Sequence, residues 1–226
     1  MRILVINGSP KGENSITLQT VKYLEKHYPQ HSFEVLHVGQ RIKSLEKDMT
    51  EALAMIARAD LLLFSYPVYT FIAPSQLHRF IELLKASKVD FAGKFATQIT
   101  TSKHFYDVTA HRYIQDNCQD MGMKVIRGLS ADMDDLLSEK GQKDARDFFN
   151  YVCFAMEQDV FEPFAAPLPA PRHAPVSLLV PAEQEKKGDV VIVTDCEMGN
   201  DQLGAMIDRF RAALPLKSRV INIREY

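Results

Sequence analysis

Arg2-Ile3-Leu4-Val5-Ile6-Asn7-Gly8-Ser9-Pro10-Lys11-Gly12-Glu13-Asn14-Ser15 is the stretch from which the rest of the chain is read. Ile3 to Ile6 are four consecutive branched aliphatic residues, the pattern of a short strand buried on both faces. A polar loop with two glycines, a proline and a lysine follows. Then Leu18, Val21 and Leu24 recur on one face of a helix predicted from Ile16 to about His27. Strand, polar loop and helix together aim backbone N–H groups and a helix N-terminus at an anion. Lys11 adds positive charge, and Ser9, Asn14 and Ser15 add neutral donors. The stretch reads as a phosphate cradle. The alternative is a turn at Asn7-Gly8 with Asn14 or Ser15 acting only as a helix cap. Asn-Gly also signals a hairpin, but no second strand follows it directly. The sequence lacks Gly-x-Gly-x-x-Gly and a Gly-Lys-Ser/Thr loop end, which excludes a dinucleotide fingerprint and a Walker-type site.

Working outward, helix and strand patterns alternate. Strands are predicted at Ser32–Val38, Leu61–Ser65, Phe95–Thr101 and Lys124–Leu129. Helices are predicted from about Lys47 to Ala59, Ser75 to Lys85, Val108 to Gly122 and Lys140 to Gln158, with Gly122 as a C-terminal stop. Apolar strands alternating with helices predict an α/β doubly wound parallel five-stranded sheet. Ligands in such sheets sit beyond the carboxyl ends of the strands, where strand order reverses. The loops after strands one, three and four therefore point to one site.

The loop after strand three, Ser65-Tyr66-Pro67-Val68-Tyr69-Thr70-Phe71-Ile72-Ala73-Pro74, holds three aromatics and two prolines. It makes a stiff apolar wall suited to a flat heterocycle, with backbone groups near Val68 to Thr70 available to its polar edge. It serves equally as a cover for the sheet end. The loop after strand four, Thr101-Ser102-Lys103-His104-Phe105-Tyr106-Asp107, supplies hydroxyls, an imidazole and a phenol.

Composition bounds the function. The 226 residues are 46% apolar and 25% charged, as in an ordinary globular protein, and the net charge of −2 gives no case for nucleic acid. Leu61–Leu77, the most apolar stretch, is broken by Pro67 and Pro74 and is too short to span a bilayer, so no membrane partner is expected. The start Met1-Arg2-Ile3-Leu4-Val5 lacks a signal peptide's cleavage region, and a cytoplasmic protein is expected. Cys118, Cys153 and Cys196 lie far apart and read as reduced thiols, not ligands or a disulfide framework.

The three loops together resemble the NAD(P)H-dependent FMN reductases of the flavodoxin-like superfamily, which include quinone reductases and iron–sulfur flavoproteins. The resemblance rests on Gly8-Ser9-Pro10-Lys11 with Asn14-Ser15, on Tyr66-Pro67-Val68-Tyr69 with Pro74-Ser75-Gln76-Leu77 and Phe80-Ile81, and on Thr100-Thr101-Ser102, over roughly residues 1–160. It implies a flavodoxin-like fold, strand order 2-1-3-4-5, with FMN as cofactor and NAD(P)H as co-substrate. Carried over, Ser9, Lys11, Asn14 and Ser15 hold the phosphate, with Ile16 beside them. Pro67, Val68, Tyr69 and Thr70 line the ring, and Thr101 and Ser102 take its other edge. Tyr69, His104 and Tyr106 are the candidate catalytic proton donors. The implied function is an FMN-dependent NAD(P)H oxidoreductase passing electrons to a small-molecule acceptor such as a quinone, and a homodimer is expected. The alternative is a flavodoxin-like electron carrier or flavin-binding protein without NAD(P)H turnover of its own. Gly39 to Met49 contains no cysteine, so a cluster there would lack thiolate ligands. Ser102-Lys103-His104 also stands where glycines are common in the family.

The expected domains are a flavodoxin-like FMN-binding domain at 1–159, a linker at 160–189 and a βαβ appendage at 190–226. The linker holds six of the 11 prolines, which suits extended chain. The appendage, with strands at Asp189–Thr194 and Arg219–Arg224 around a helix at Asp201–Ala213, repeats the order of residues 2–38.

Overall fold

The computed structural model describes residues 1–87, 89–102, 107–164, 189–196 and 201–225, with the backbone alone at 201 and 225. It divides into two units, Met1–Ala166 and Pro167–Tyr226.

In the first unit, β1 (Arg2–Asn7), β2 (Ser32–Leu36), β3 (Leu61–Pro67) and β4 (Phe95–Thr101) lie parallel in the order β2-β1-β3-β4. The fifth position is shared by two short strands, β5 (Lys124–Val125) and β6 (Leu129–Ala131), each paired with β4. This is the flavodoxin-like order expected from the sequence. β1, β3 and β4 are buried almost end to end, β1 and β3 through apolar runs and β4 with Thr97, Gln98, Thr100 and Thr101 buried among its apolar residues.

Residue parity assigns the faces of the sheet. Leu4, Ile6, Leu62, Phe64 and Tyr66 pack with the helices α2 (Val38–Leu45), α3 (Thr50–Arg58), α4 (Ser75–Ala86) and α5 (Val108–Asp120). Ile3, Val5, Leu61, Leu63 and Ile99 pack on the opposite face with α1 (Ile16–His27) and α6 (Glu139–Glu157). Gly122 follows α5 at φ 81°, as expected of a helix stop.

Two elements differ from the sequence reading. The second strand ends at Leu36, and the chain turns at once into α2. Val38 and Leu45, seven residues apart, are the buried stripe of this helix. Its Gly39 lies so close to the phosphate-loop backbone that a Cβ would sit 2.2 Å from the Ser9 carbonyl oxygen. The fifth strand is also interrupted. Ala96 pairs with Val125 and Ile99 with Leu129, so three residues, 126–128, oppose two, 97–98. The extra residue is a β-bulge. Gly128 allows the Gln98 side chain to fill the kink, where a Cβ would lie 2.4 Å from Gln98 Cγ.

Residues 160–162 remain bonded within the first unit: the Val160 N–H donates to the Ala155 carbonyl and the Glu162 N–H to the Val125 carbonyl. The remaining proline-rich stretch, 165–188, lies outside the described residues. In the second unit, β7 (Asp189–Thr194) and β8 (Lys217–Asn222) pair in parallel, with α7 (Asp201–Ala213) between them in sequence. Val191 and Val193 are 57% and 64% exposed, so one face of this small sheet is uncovered within the unit. Cys118 and Cys153 are free thiols, and burial pushes that of Cys118 up to about 12.

Candidate active site

The loop after β1 is held from beneath by one amide. Asn7 is fully buried; its Oδ1 accepts from the Ser9 N–H at 3.1 Å, and its Nδ2 donates to the Gly12 carbonyl at 3.0 Å. Those two bonds fix the orientation of the amide. Nδ2 also lies 3.1 Å from His37 Nδ1, which must therefore accept, placing the imidazole hydrogen on Nε2, 2.7 Å from Glu13 Oε1. The amides of Gly12, Asn14 and Ser15 bond to carbonyls inside the loop. The donors left for a ligand are those of the first turn of α1, because Ser15 occupies its N-cap without a side-chain capping bond. Lys11 is exposed beside this turn, and the buried Ser9 and Ser15 bring hydroxyls to it.

The loop after β3 closes on itself as a two-residue hairpin. The Tyr69 N–H donates to the Ile72 carbonyl at 3.0 Å, and the Ile72 N–H returns to Tyr69 at 3.2 Å. Thr70 and Phe71 between them take φ of 47° and 74°, a conformation costly for a β-branched or bulky residue. The Val68 N–H donates to the Thr101 carbonyl at 3.1 Å. The amides of Val68 and Tyr69 are thus consumed within the protein, so of the backbone groups near Val68 to Thr70 these two are not available to a ligand's polar edge. The three aromatics divide: Tyr66 is buried with its hydroxyl on Gln98 Oε1 at 2.6 Å, whereas Tyr69 and Phe71 are 45% and 43% exposed. Burial first, and then the neighbouring Cys118 and Asp107, hold the Tyr66 phenol well above its usual range.

At the end of β4, Thr101 Oγ1 meets Thr17 Oγ1 at 2.7 Å, tying the first turn of α1 to the sheet. The Ser102 N–H donates to the Ala131 carbonyl at 3.1 Å. Behind Ser102 lies Asp107, with Thr100, Ser130 and His111 around it. Burial raises the pKa of Asp107, but hydrogen bonds from Ser130 and Ser102 and the nearby His111 outweigh it, and the net shift is downward. His111 is shifted down, by burial first and by Arg127, against the opposing pull of Asp107. The cluster therefore holds an anionic carboxylate beside a neutral imidazole at neutral pH.

These three loops enclose one open cleft of about 250 Å³. Ser9, Lys11, Ser15 and Ile16 line one end, and Pro67, Val68, Tyr69, Thr101 and Ser102 line the other, as the sequence grouped them. Asn14 and Thr70 are exposed but do not line it. His104 and Tyr106 lie outside the described residues. The sequence reading missed Thr17 and Met133, which complete the lining, and Asn7, which holds the loop. A buried polar residue at the end of an apolar strand was the available signal for Asn7. Among the described lining residues Lys11 is the one charged group. A cation and uncapped helix amides at one end, with an apolar and hydroxyl-bearing slot at the other, fit a flat ring carrying a phosphate.

Comparison with known proteins agrees with this geometry. A family model described as NADPH-dependent FMN reductase matches residues 1–134. Among solved structures, an apo NADH:FMN oxidoreductase superposes with a TM-score of 0.56 at 22% identity, covering 74% of this chain and 91% of that one. An NADPH-quinone reductase from P. pentosaceus gives 0.52 at 15% identity, covering 67% and 97%. An FMN-dependent NADH-azoreductase from Bacillus anthracis str. Ames Ancestor, in complex with FMN, gives 0.50 at 14% identity, covering 71% and 100%. At these identities the superpositions speak for the fold. No curated protein matches the sequence.

Proposed function

The chain belongs to the NADPH-dependent FMN reductase family, and on that premise we propose that it passes electrons from NAD(P)H to a small organic acceptor such as a quinone. FMN is the cofactor of this oxidoreductase and NAD(P)H its electron donor. Bound FMN supplies a ring that accepts hydride and returns electrons. The protein binds, orients and shields it. Lys11, the Ser9 and Ser15 hydroxyls and the first turn of α1 hold the phosphate, with Ile16 beside them. Pro67, Val68 and Tyr69 wall the ring, and Thr101 and Ser102 take its other edge.

The observation that carries this reading is that one cleft joins an anion-binding end to an apolar mouth where Tyr69 is half exposed. A flat apolar acceptor suits such a mouth. There the Tyr69 phenol is placed to hand a proton to a reduced acceptor. The apolar side chains around the mouth, Ile16, Tyr69 and Met133, are each more than two-fifths exposed and favour a homodimer that covers them.

Steady-state oxidation of NAD(P)H in the presence of a quinone tests the reading. The wild type should turn over, and Tyr69→Ala should lower the rate at saturating FMN. NAD(P)H oxidation that stays at the quinone-only background would overturn the acceptor assignment. Light scattering coupled to size exclusion tests the dimer.

A further inference from the structure

Asp107 stands at the N-cap of α5, where an aspartate ordinarily accepts bonds from the helix's own first-turn amides. It makes no such bond. Its carboxylate turns inward, only 9% of the residue is exposed, and Oδ2 accepts from the side chains at the ends of two strands. Ser130 of β6 donates to it, Ser102 Oγ donates at 3.3 Å and Thr100 Oγ1 lies 3.5 Å away. His111, one helical turn on, places Nε2 at 3.7 Å from the same oxygen and at 2.8 Å from Thr100 Oγ1. A local capping rule is given up for a tertiary arrangement, and such exchanges concentrate at functional positions.

The arrangement determines what Ser102 offers to the cleft. A hydroxyl has one hydrogen and two lone pairs. The hydrogen of Ser102 is directed at an anionic acceptor, the stronger kind of partner. Its backbone N–H is already spent on Ala131. Ser102 nevertheless lines the cleft. What it shows there is lone-pair density, and turning its hydrogen toward a ligand would strip a buried carboxylate of a donor.

We propose that Asp107 is a positioning residue that makes Ser102 an obligatory hydrogen-bond acceptor, so that this wall selects a flavin ring bearing an N–H. This rests on the flavin reading of the cleft. Oxidised isoalloxazine carries a single ring N–H, at N3, and that is the group an acceptor-only wall recognises.

Quenching of flavin fluorescence on titration with the flavin-free full chain tests the inference, with FMN and N3-methyl-FMN as probes. The wild type should bind FMN about tenfold or more tightly than the methylated form, the scale of one hydrogen bond to a half-buried acceptor. Asp107→Asn leaves a similar shape but no anion to claim the Ser102 hydrogen, so this ratio should narrow to about threefold or less. Equal wild-type affinity for both flavins would overturn the proposal while leaving the cofactor assignment intact. So would an Asp107→Asn variant that weakens both flavins by the same factor, since that is the signature of a merely structural role. If Asp107→Asn does not fold, Ser102→Ala must narrow the ratio, and an unchanged ratio there overturns the proposal. Failure of the wild type to bind FMN overturns the flavin reading and this inference together.

Discussion

Thr17 and Thr101, 84 residues apart in sequence, share a 2.7 Å hydrogen bond between two buried hydroxyls. One belongs to the first turn of α1, the other to the carboxyl end of β4, and both line the cleft. The two walls of the cleft, already packed through Leu18, Val21 and Ile99, are thus also bridged by a hydrogen bond. Thr17→Val should lower stability by about 1–3 kcal/mol, because the Thr101 hydroxyl is left buried without its partner. The double variant Thr17→Val/Thr101→Val should recover part of the loss, as replacing both partners by apolar groups is the milder change. Urea unfolding of the single and double variants measures both outcomes.

Lys11 should discriminate between flavins by their phosphate. Lys11→Gln should weaken FMN binding by about 1.5–3 kcal/mol, the range for hydrogen bonds to charged groups, and leave riboflavin binding almost unchanged. Titration of the variant with both flavins checks this. An equal loss for riboflavin would place Lys11 outside the phosphate end.

The hairpin at Thr70-Phe71 holds two residues in a conformation that Asn-Gly adopts readily. Thr70→Asn/Phe71→Gly should therefore raise stability by about 1–3 kcal/mol. It should not raise turnover, since it removes an exposed ring beside Tyr69. Thermal melts read the first effect and steady-state rates the second. A variant that is both more stable and fully active would show that the native pair has no role at the mouth.

The pH dependence of stability has a definite sign. His31, His78 and His111 are all shifted below the usual histidine value, chiefly by burial. Their neutral forms are favoured in the folded state, so the unfolded chain takes up protons first as pH falls. The stability they contribute is complete above pH ~6.5 and is lost as pH drops through their lowered folded values. Each proton bound preferentially by the unfolded chain costs about 1.4 kcal/mol per pH unit. Denaturant midpoints measured from pH 7.5 to 5 should fall, and His111→Gln should flatten part of the slope.

Much of the first unit was legible in the sequence. β1 and β3 carry short apolar runs and β4 is rich in β-branched residues, and lengths of six or seven residues favour a buried strand over a helix. The grouping of Lys11, Tyr69 and Ser102 followed from topology alone, because the carboxyl ends of neighbouring parallel strands converge. The helix α2 was hidden by its composition: Gly39 lowers helix propensity, and Gln40, Arg41, Lys43 and Ser44 dilute a stripe that needs only Val38 and Leu45. Backbone groups near Val68 to Thr70 were read as open to a ligand because a sequence does not say which amides the fold will claim, here Val68 by Thr101 and Tyr69 by Ile72. The Asp107 cluster was illegible for a related reason. Asp107 and Ser130 are 23 residues apart, and an aspartate before a helix reads as a cap.

The bulge at 126–128 carries a consequence in arithmetic. Side chains alternate along a strand, so one additional residue exchanges every later residue between the two faces. Val125, before the bulge, belongs to the core on the α5 face. Ser130 lies five residues further on, an odd interval that an unbroken strand would place on the opposite face, and it reaches Asp107 at the start of α5 because the bulge absorbs the extra residue. Deleting one residue from 126–128 would leave a regular strand in which Ser130 still opposes Thr100, whereas an insertion that the bulge could not absorb would send the Ser130 hydroxyl toward α1 and α6. The donor to the Asp107 carboxylate is thus specified by how the strand accommodates one residue, and single-residue insertions there should be more damaging than deletions.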